Sequence, residues 1–189
     1  GVQGTQTLTV GAANSNSLFA GKLVYNTQGS SPGIVNLRKA GTGTQILTGD
    51  SSTGPEGGSR GGTIVSEGIL AVNNTEGSGL GSGAVLVEIN GTLAGSGSII
   101  LTNSSATIQG KLSVGNAGDT AASSFTVTTD GATPGSLVFD GGTLEVDLFS
   151  GAGGGDNTAN AAAADVLAVN GAAALNAGAT LTVANPQGM

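Results

Sequence analysis

The chain has 189 residues, with 36 Gly, only 4 Pro, no Cys, no His and no Trp; charged residues are 9% and the formal net charge is −7. That length ordinarily means a single domain, and the missing Cys and His exclude disulfides, thiol nucleophiles, thiolate metal sites and any His-based catalysis. The five basic residues are Lys22, Arg38, Lys39, Arg60 and Lys111, of which only Arg38 and Lys39 are adjacent. Nucleic-acid binding needs a basic stripe to neutralise phosphates, so it is excluded, and an anionic membrane surface repels such a chain. No stretch approaches the ~20 apolar residues of a membrane span, so no membrane insertion of this segment is expected. Disorder goes with low hydrophobicity, whereas 38% of this chain is hydrophobic. With only 3% aromatics, the core must be built from small aliphatic side chains.

Along the chain, short runs alternate apolar and polar residues between Gly, Asn, Asp and Ser, which predicts strands. At residues 5–10, Leu8 and Val10 share one face and the threonines take the other. Residues 84–89, 124–128 and 143–148 repeat the pattern, each offering one buried and one wet face. Only residues 161–164, leading into Asp165, predict a short helical turn; a Gly/Ala-rich loop is expected over 150–164 and final strands over 165–185. The opening Gly1-Val2-Gln3, without Met or a basic leader, and the ending Pro186-Gln187-Gly188-Met189 are expected of a fragment of a longer protein.

A unit of Gly, one residue, Leu and a β-branched alternation recurs at Gly21, Gly68, Gly91, Gly110, Gly135, Gly142 and, stretched, at Gly178. Leu23 to Ile46, Leu47 to Leu70 and Leu70 to Leu93 are steps of 23 residues, and Leu93 to Leu112 is 19. Periods of roughly 20–25 residues fit one coil of a solenoid. A sandwich would use its Asn-Gly and Asp-Gly dipeptides as hairpin turns. Here Asn90-Gly91, Asp130-Gly131, Asp140-Gly141 and Asn170-Gly171 sit immediately before or at repeat units, tying the turn to the coil. The expected fold is therefore all-β, a right-handed parallel β-helix spanning residues 1–189 as one segment. About 8 coils at ~4.8 Å would give a length on the order of 40 Å.

At residues 39–98 the pattern becomes specific. Lys39-Ala40-Gly41-Thr42-Gly43-Thr44-Gln45-Ile46-Leu47-Thr48-Gly49 resembles the opening of the autotransporter-associated β-strand repeat, also called the passenger-associated transport repeat. Gly61-Gly62-Thr63-Ile64-Val65-Ser66-Glu67-Gly68-Ile69-Leu70 resembles its second half, while residues 50–56 replace its usual Tyr-Thr step. Residues 73–85 and 91–99 look like its usual continuation, and Asp165-Val166-Leu167-Ala168-Val169-Asn170-Gly171 is similar to a late coil in such passengers. The resemblance implies a β-helix outside the cell, in a secreted or cell-surface bacterial protein.

No catalytic, cofactor-binding or metal-ligating residue is assigned. A Ser-Lys pair is weighed against Lys22, Lys39 and Lys111 lying on solvated strand faces, and the solvated reading is preferred. The enzyme alternative is a polysaccharide hydrolase or lyase using Glu145 and Asp147, which strand geometry places about 6.5–7 Å apart on one face, with Asp140 nearby. Such a site also needs an aromatic or Arg-rich sugar platform, and the aromatics are only Phe19, Tyr25, Phe125, Phe139 and Phe149. Residues 151–156 approach a calcium-binding nonapeptide, but one copy reads as a loop. Gly79-Leu80-Gly81-Ser82-Gly83-Ala84 has the spacing of a dinucleotide loop without the following helix, and reads as a turn. The expectation is a non-enzymatic structural or adhesive module of the extracellular matrix or cell surface, self-associating into head-to-tail fibres, with an unassigned surface ligand.

Overall fold

The computed structural model describes residues 4–24, 33–52, 59–117, 119–149 and 164–184. These residues form strands and no helix. The strands are β1 Gly4–Val10, β2 Ser17–Phe19, β3 Gly33–Lys39, β4 Thr44–Leu47 and β5 Thr63–Val72. They continue as β6 Val85–Gly95, β7 Ser98–Thr102, β8 Ala106–Ile108, β9 Lys111–Val114 and β10 Ser124–Asp130. Last come β11 Ser136–Phe139, β12 Thr143–Asp147, β13 Val166–Asn170, β14 Ala172–Leu175 and β15 Thr180–Ala184. Every strand pairing is parallel; only the isolated bridges Gly95–Gly115 and Leu148–Ala164 are antiparallel.

The pairings fall into three ladders. The first runs β1-β3-β5-β6-β8-β11-β14, and the second runs β2-β4-β5-β6-β9-β12-β15. β5 and β6 are long enough to serve both, so the two ladders form one 12-stranded sheet. β7, β10 and β13 make the third. From β6 to β15 the chain visits first, second and third ladders in that order and returns to the first one level higher; among the described residues the levels below β6 have strands only in the first two ladders. Parallel strands require such crossover returns, because a tight hairpin cannot join them.

Register makes the core. One inward column of the first ladder is Leu8, Leu37, Thr63, Val85, Ala106, Leu137 and Ala173. In the second ladder Gln45, Leu70, Leu93, Leu112, Leu144 and Leu181 stack above Ser17. In the third, Ile99, Val127 and Val169 align. Leu70, Leu93, Leu112, Ile99 and Val127 are all buried. Leu→Ala at Leu70 or Leu93 is expected to cost about 2–5 kcal/mol in urea denaturation.

The stack has seven levels in the first ladder, where the sequence predicts about eight coils. Successive levels along Leu8, Leu37, Thr63, Val85, Ala106, Leu137 and Ala173 are 29, 26, 22, 21, 31 and 36 residues apart. Only the two middle steps fall within the expected 20–25 residues. Leu70 over Leu93 and Leu93 over Leu112 pair as expected. Ile46, however, pairs with Leu18 instead of Leu23, and Leu70 pairs with Gln45 instead of Leu47. Counting leucines misses these registers because an inward position accepts Gln45 or Ser17 when it is hydrogen-bonded. The Gln45 Oε1 accepts from Ser17 Oγ at 2.5 Å and its Nε2 donates to the Ile46 carbonyl at 3.0 Å. Leu23 is buried, its N–H donating to Ser51 Oγ. Apart from Ala164, which bridges to Leu148, the turn expected at 161–164 and the loop expected over 150–164 lie outside the described residues.

The corners explain the glycines. Between the first and second ladders, Gly68 pairs with Gly91, and Gly110 and Gly142 follow at the next levels. A Cβ on Gly110 would sit 2.3 Å from both the Glu88 and Gly91 carbonyl oxygens of the level below. There the requirement is close approach. At Gly141 it is conformation: φ is +76° while a Cβ would meet open space. Gly110→Ala is therefore expected to cost more than Gly141→Ala, about 3 against about 1 kcal/mol, by urea denaturation.

Lys39 departs from the solvated position expected of it. It lies in the inward column between Val10 and Val65 and is wholly buried. Its Nζ donates to the carbonyls of Ala40 at 2.8 Å, Gly41 at 2.5 Å and Glu67 at 3.1 Å, using all three N–H donors. A Cβ on Gly11 would come within 3.0 Å of this ammonium, so glycine there leaves it room. Desolvation holds the Lys39 pKa below 10.5, with the Glu67 charge pulling the other way. Lys39→Met keeps the stem but leaves three carbonyls without a donor. A loss of about 3 kcal/mol is expected in denaturant melts, on the order of 1 per unmatched carbonyl.

Candidate functional site

The strongest concentration of ionisable groups lies on and around β12. Glu145 and Asp147 alternate with Leu144 and Val146, which puts both carboxylates on the outer face of the second ladder. One level below on that face are Lys111 and Ser113, paired by register with Thr143 and Glu145. Glu145 accepts from Lys111 Nζ at 2.8 Å and from Ser113 Oγ at 3.1 Å. The ion pair is partly exposed, so its contribution to stability is at most about 1 kcal/mol.

Asp147 has no such cation. Burial, followed by the charges of Asp165, Glu145 and Asp119, pushes its pKa above 3.8. Asp165 is buried and acts as a double acceptor: one carboxylate oxygen takes the Ser123 N–H at 2.7 Å, the other the Asp147 N–H at 3.0 Å. Its own N–H donates to the Asp147 carbonyl at 3.0 Å. Asp119 accepts from the Asn116 N–H at 2.8 Å and from Ser123 Oγ at 3.3 Å. Asp165 thus fastens the approach to β10 against the end of β12, while Asp119 ties Asn116 to Ser123 within that approach. Sequence reading singled out Glu145 and Asp147 but missed this fastening, whose one signal is an Asp standing immediately before an alternating strand.

An acid of raised pKa next to a charge-paired carboxylate has the ingredients of acid/base chemistry on a glycosidic bond. Among the described residues the rest of that machinery is not beside it. Phe125 and Phe139 are core residues and Phe149 is buried, Phe19 belongs to the lowest level of the second ladder, and Tyr25 lies outside the described residues. Asp140 stands at the corner between the first and second ladders, where it accepts from Asn176 Nδ2 at 3.3 Å. A shallow groove of about 330 Å³ runs up that same corner, floored by Gly91, Gly110 and Gly141 and walled by Ile89, Gln109 and Lys111. It is open to solvent. Among the described residues no group of three or more Asp or Glu is placed to hold a metal ion. The calcium-like stretch at 151–156 lies outside the described residues. Gly79–Ala84 precedes the strand β6, with no helix N-terminus to receive a phosphate.

No protein-family model, curated protein or solved structure matches the chain.

Because native Asp147 binds its proton more tightly than the unfolded chain does, the native state is favoured as pH falls through the window above the unfolded value. That contribution is lost as pH rises through the raised native pKa. Asp147→Asn, which forfeits no side-chain hydrogen bond, is expected to give a small rise in Tm near neutral pH. It should also remove the fall in stability with rising pH that this carboxyl contributes, read from thermal melts between about pH 3.5 and 7.

Proposed function

We propose that the three ladders are the sides of a right-handed parallel β-solenoid, and that the chain is a non-enzymatic structural or adhesive module of a secreted or cell-surface bacterial protein. The observation that carries this reading is the in-register parallel stack itself. It fills its interior with aliphatic columns and leaves Thr, Ser and Asn over much of its outer surface. Right-handed crossovers between parallel strands are the general rule, which supplies the hand. Seven levels spaced ~4.8 Å apart make a stack about 30 Å tall. Its stability comes from aliphatic burial and backbone ladders, which salt and modest pH changes barely disturb. Such a surface suits exposure outside the cell, and the resemblance of residues 39–98 to the autotransporter-associated repeat points the same way. Proteinase treatment of intact source cells should remove an antibody epitope on this segment, whereas retention of the epitope until lysis would overturn the placement.

A second reading, a polysaccharide hydrolase or lyase, is favoured only by the raised Asp147 beside the Lys111–Glu145 pair. It predicts activity on a panel of polysaccharides that disappears in Glu145→Ala and Asp147→Ala. The structural reading predicts no turnover in either the parent chain or the variants.

A further inference from the structure

Neighbouring levels of the corner between the first and second ladders are built from different numbers of residues. On the level of β6, residues 88–91 separate Val87 from Thr92, while one level up only Gln109 and Gly110 separate their register partners Ile108 and Lys111. The level below β6 uses residues 66–68 between Val65 and Ile69, and the level of β11 and β12 uses 140–142 between Phe139 and Thr143. The short corner hangs from one carbonyl: the Gln109 and Gly110 N–H groups both donate to Val87, at 2.8 and 3.1 Å. The surplus of the long corner has to bulge outward. Ile89 is the residue so extruded. Among the described residues it has no register partner on either neighbouring level, and it is 78% exposed. The recess above it is the groove of about 330 Å³. An apolar knob and a notch therefore stand on consecutive levels in the middle of the stack.

The outer face of the first ladder beside this corner is apolar at the same height. Its central outward column reads Arg38, Ile64, Leu86, Thr107, Val138 and Ala174 from bottom to top. Ile64 is 37% exposed, and Leu86 and Val138 are partly exposed. We propose that this face and corner form a two-fold interface with a second copy of this chain, the axis running parallel to the strands between the levels of β6 and β8. Such an axis keeps the strand direction and reverses the order of levels, so each Ile89 meets the notch of the other copy. By the same operation Leu86 faces Thr107 of the second copy, Ile64 faces Val138, and Arg38 faces Ala174. Charge fits as well. Glu88 stands at the root of the knob, and the cation in the notch is Lys111, which gives one N–H to Glu145 and keeps two to offer. The contact is isologous, knob into notch twice, and closes at two copies. Its centre lies on interior levels, each with a paired level above and below. The inference goes beyond the proposed function, since it needs the register of the first ladder and not an extracellular placement. A face about 25 Å tall and one ladder wide is small for a specific interface, so the dimer is weak.

Sedimentation of the chain between about 10 and 500 µM should show a monomer–dimer equilibrium. Ile89→Ala, at an exposed position, should leave the Tm unchanged and weaken the dimer about tenfold or more, because each dimer loses two central anchors. Leu18→Ala, exposed and apolar but on the outer face of the second ladder, should change neither. Cross-linking reads the order of levels, since the chain has no Cys of its own. Across the proposed axis an Arg38→Cys copy sets its cysteine about 10 Å from that of an Ala174→Cys copy, whereas two copies of one variant hold theirs about 25 Å apart. A bismaleimide that spans the first distance and not the second should join the mixed variants and neither variant alone. A monomer at every concentration, association indifferent to Ile89→Ala, or equal cross-linking in the mixed and single-variant samples would overturn the interface.

Discussion

Parallel pairing in register puts every inward side chain directly above one neighbour and below another, and that constraint governs the rest of the molecule. A column cannot change residue size freely, because a misfit at one level is felt at two interfaces. The second-ladder run Leu70, Leu93, Leu112 and Leu144 shows the simplest solution, four leucines repeated. Most polar members bring hydrogen bonds with them, Thr129 Oγ1 being an exception. Lys39 is the extreme case, its ammonium spending all three donors on carbonyls of its own level and the next. A buried cation held by backbone dipoles needs no carboxylate in the core, and it ties the strand end at Lys39 to the turn at Gly41 and the bend at Glu67.

The corners face the complementary problem. Strand ladders satisfy the backbone along each side, but where the chain bends, the N–H groups need other acceptors. Side chains of the level below supply many of them. Asn14 Oδ1 accepts from the Thr42 N–H, Asn36 from Gly62, Asn74 from Ser98 and Asn103 from Thr133. Ser78 and Ser105 act likewise toward Ile100 and Ser136. The Asn and Ser content that looks like a merely polar coating therefore carries part of the stacking. Glycine fills the remaining corner positions, where a carbonyl of the level below occupies the space of a Cβ, as at Gly110.

Much of this was legible from sequence. Alternation located the strands around Thr5–Val10, Val85–Ile89, Ser124–Thr128 and Thr143–Asp147, and the Gly-x-Leu unit found the second-ladder register from Leu70 to Leu112. What composition and spacing could not reveal was the register at the first two levels, because Ser17 and Gln45 stand where the pattern sought leucines. Nor could they reveal that Lys39 is buried, since a lysine flanked by Arg38 reads as a wet position until its strand partners Val10 and Val65 are known. At the candidate site, the placement of Glu145 and Asp147 on one face followed from the strand period. The Lys111 contact and the acceptor role of Asp165 depend on levels 34 and 18 residues away and needed the fold.

The direction of the corner hydrogen bonds has a bearing on how the chain comes to be folded. Asn14, Asn36, Asn74 and Asn103 all accept from residues that follow them, 24 to 30 positions later. Each of these asparagines thus holds out an acceptor for chain that follows it. Closing one more level means spanning only a few tens of residues, so the entropy of loop closure stays nearly constant however tall the stack grows. Such a molecule suits vectorial folding: emerging N-terminus first, it can be wound up largely a level at a time, each level settling on its neighbours.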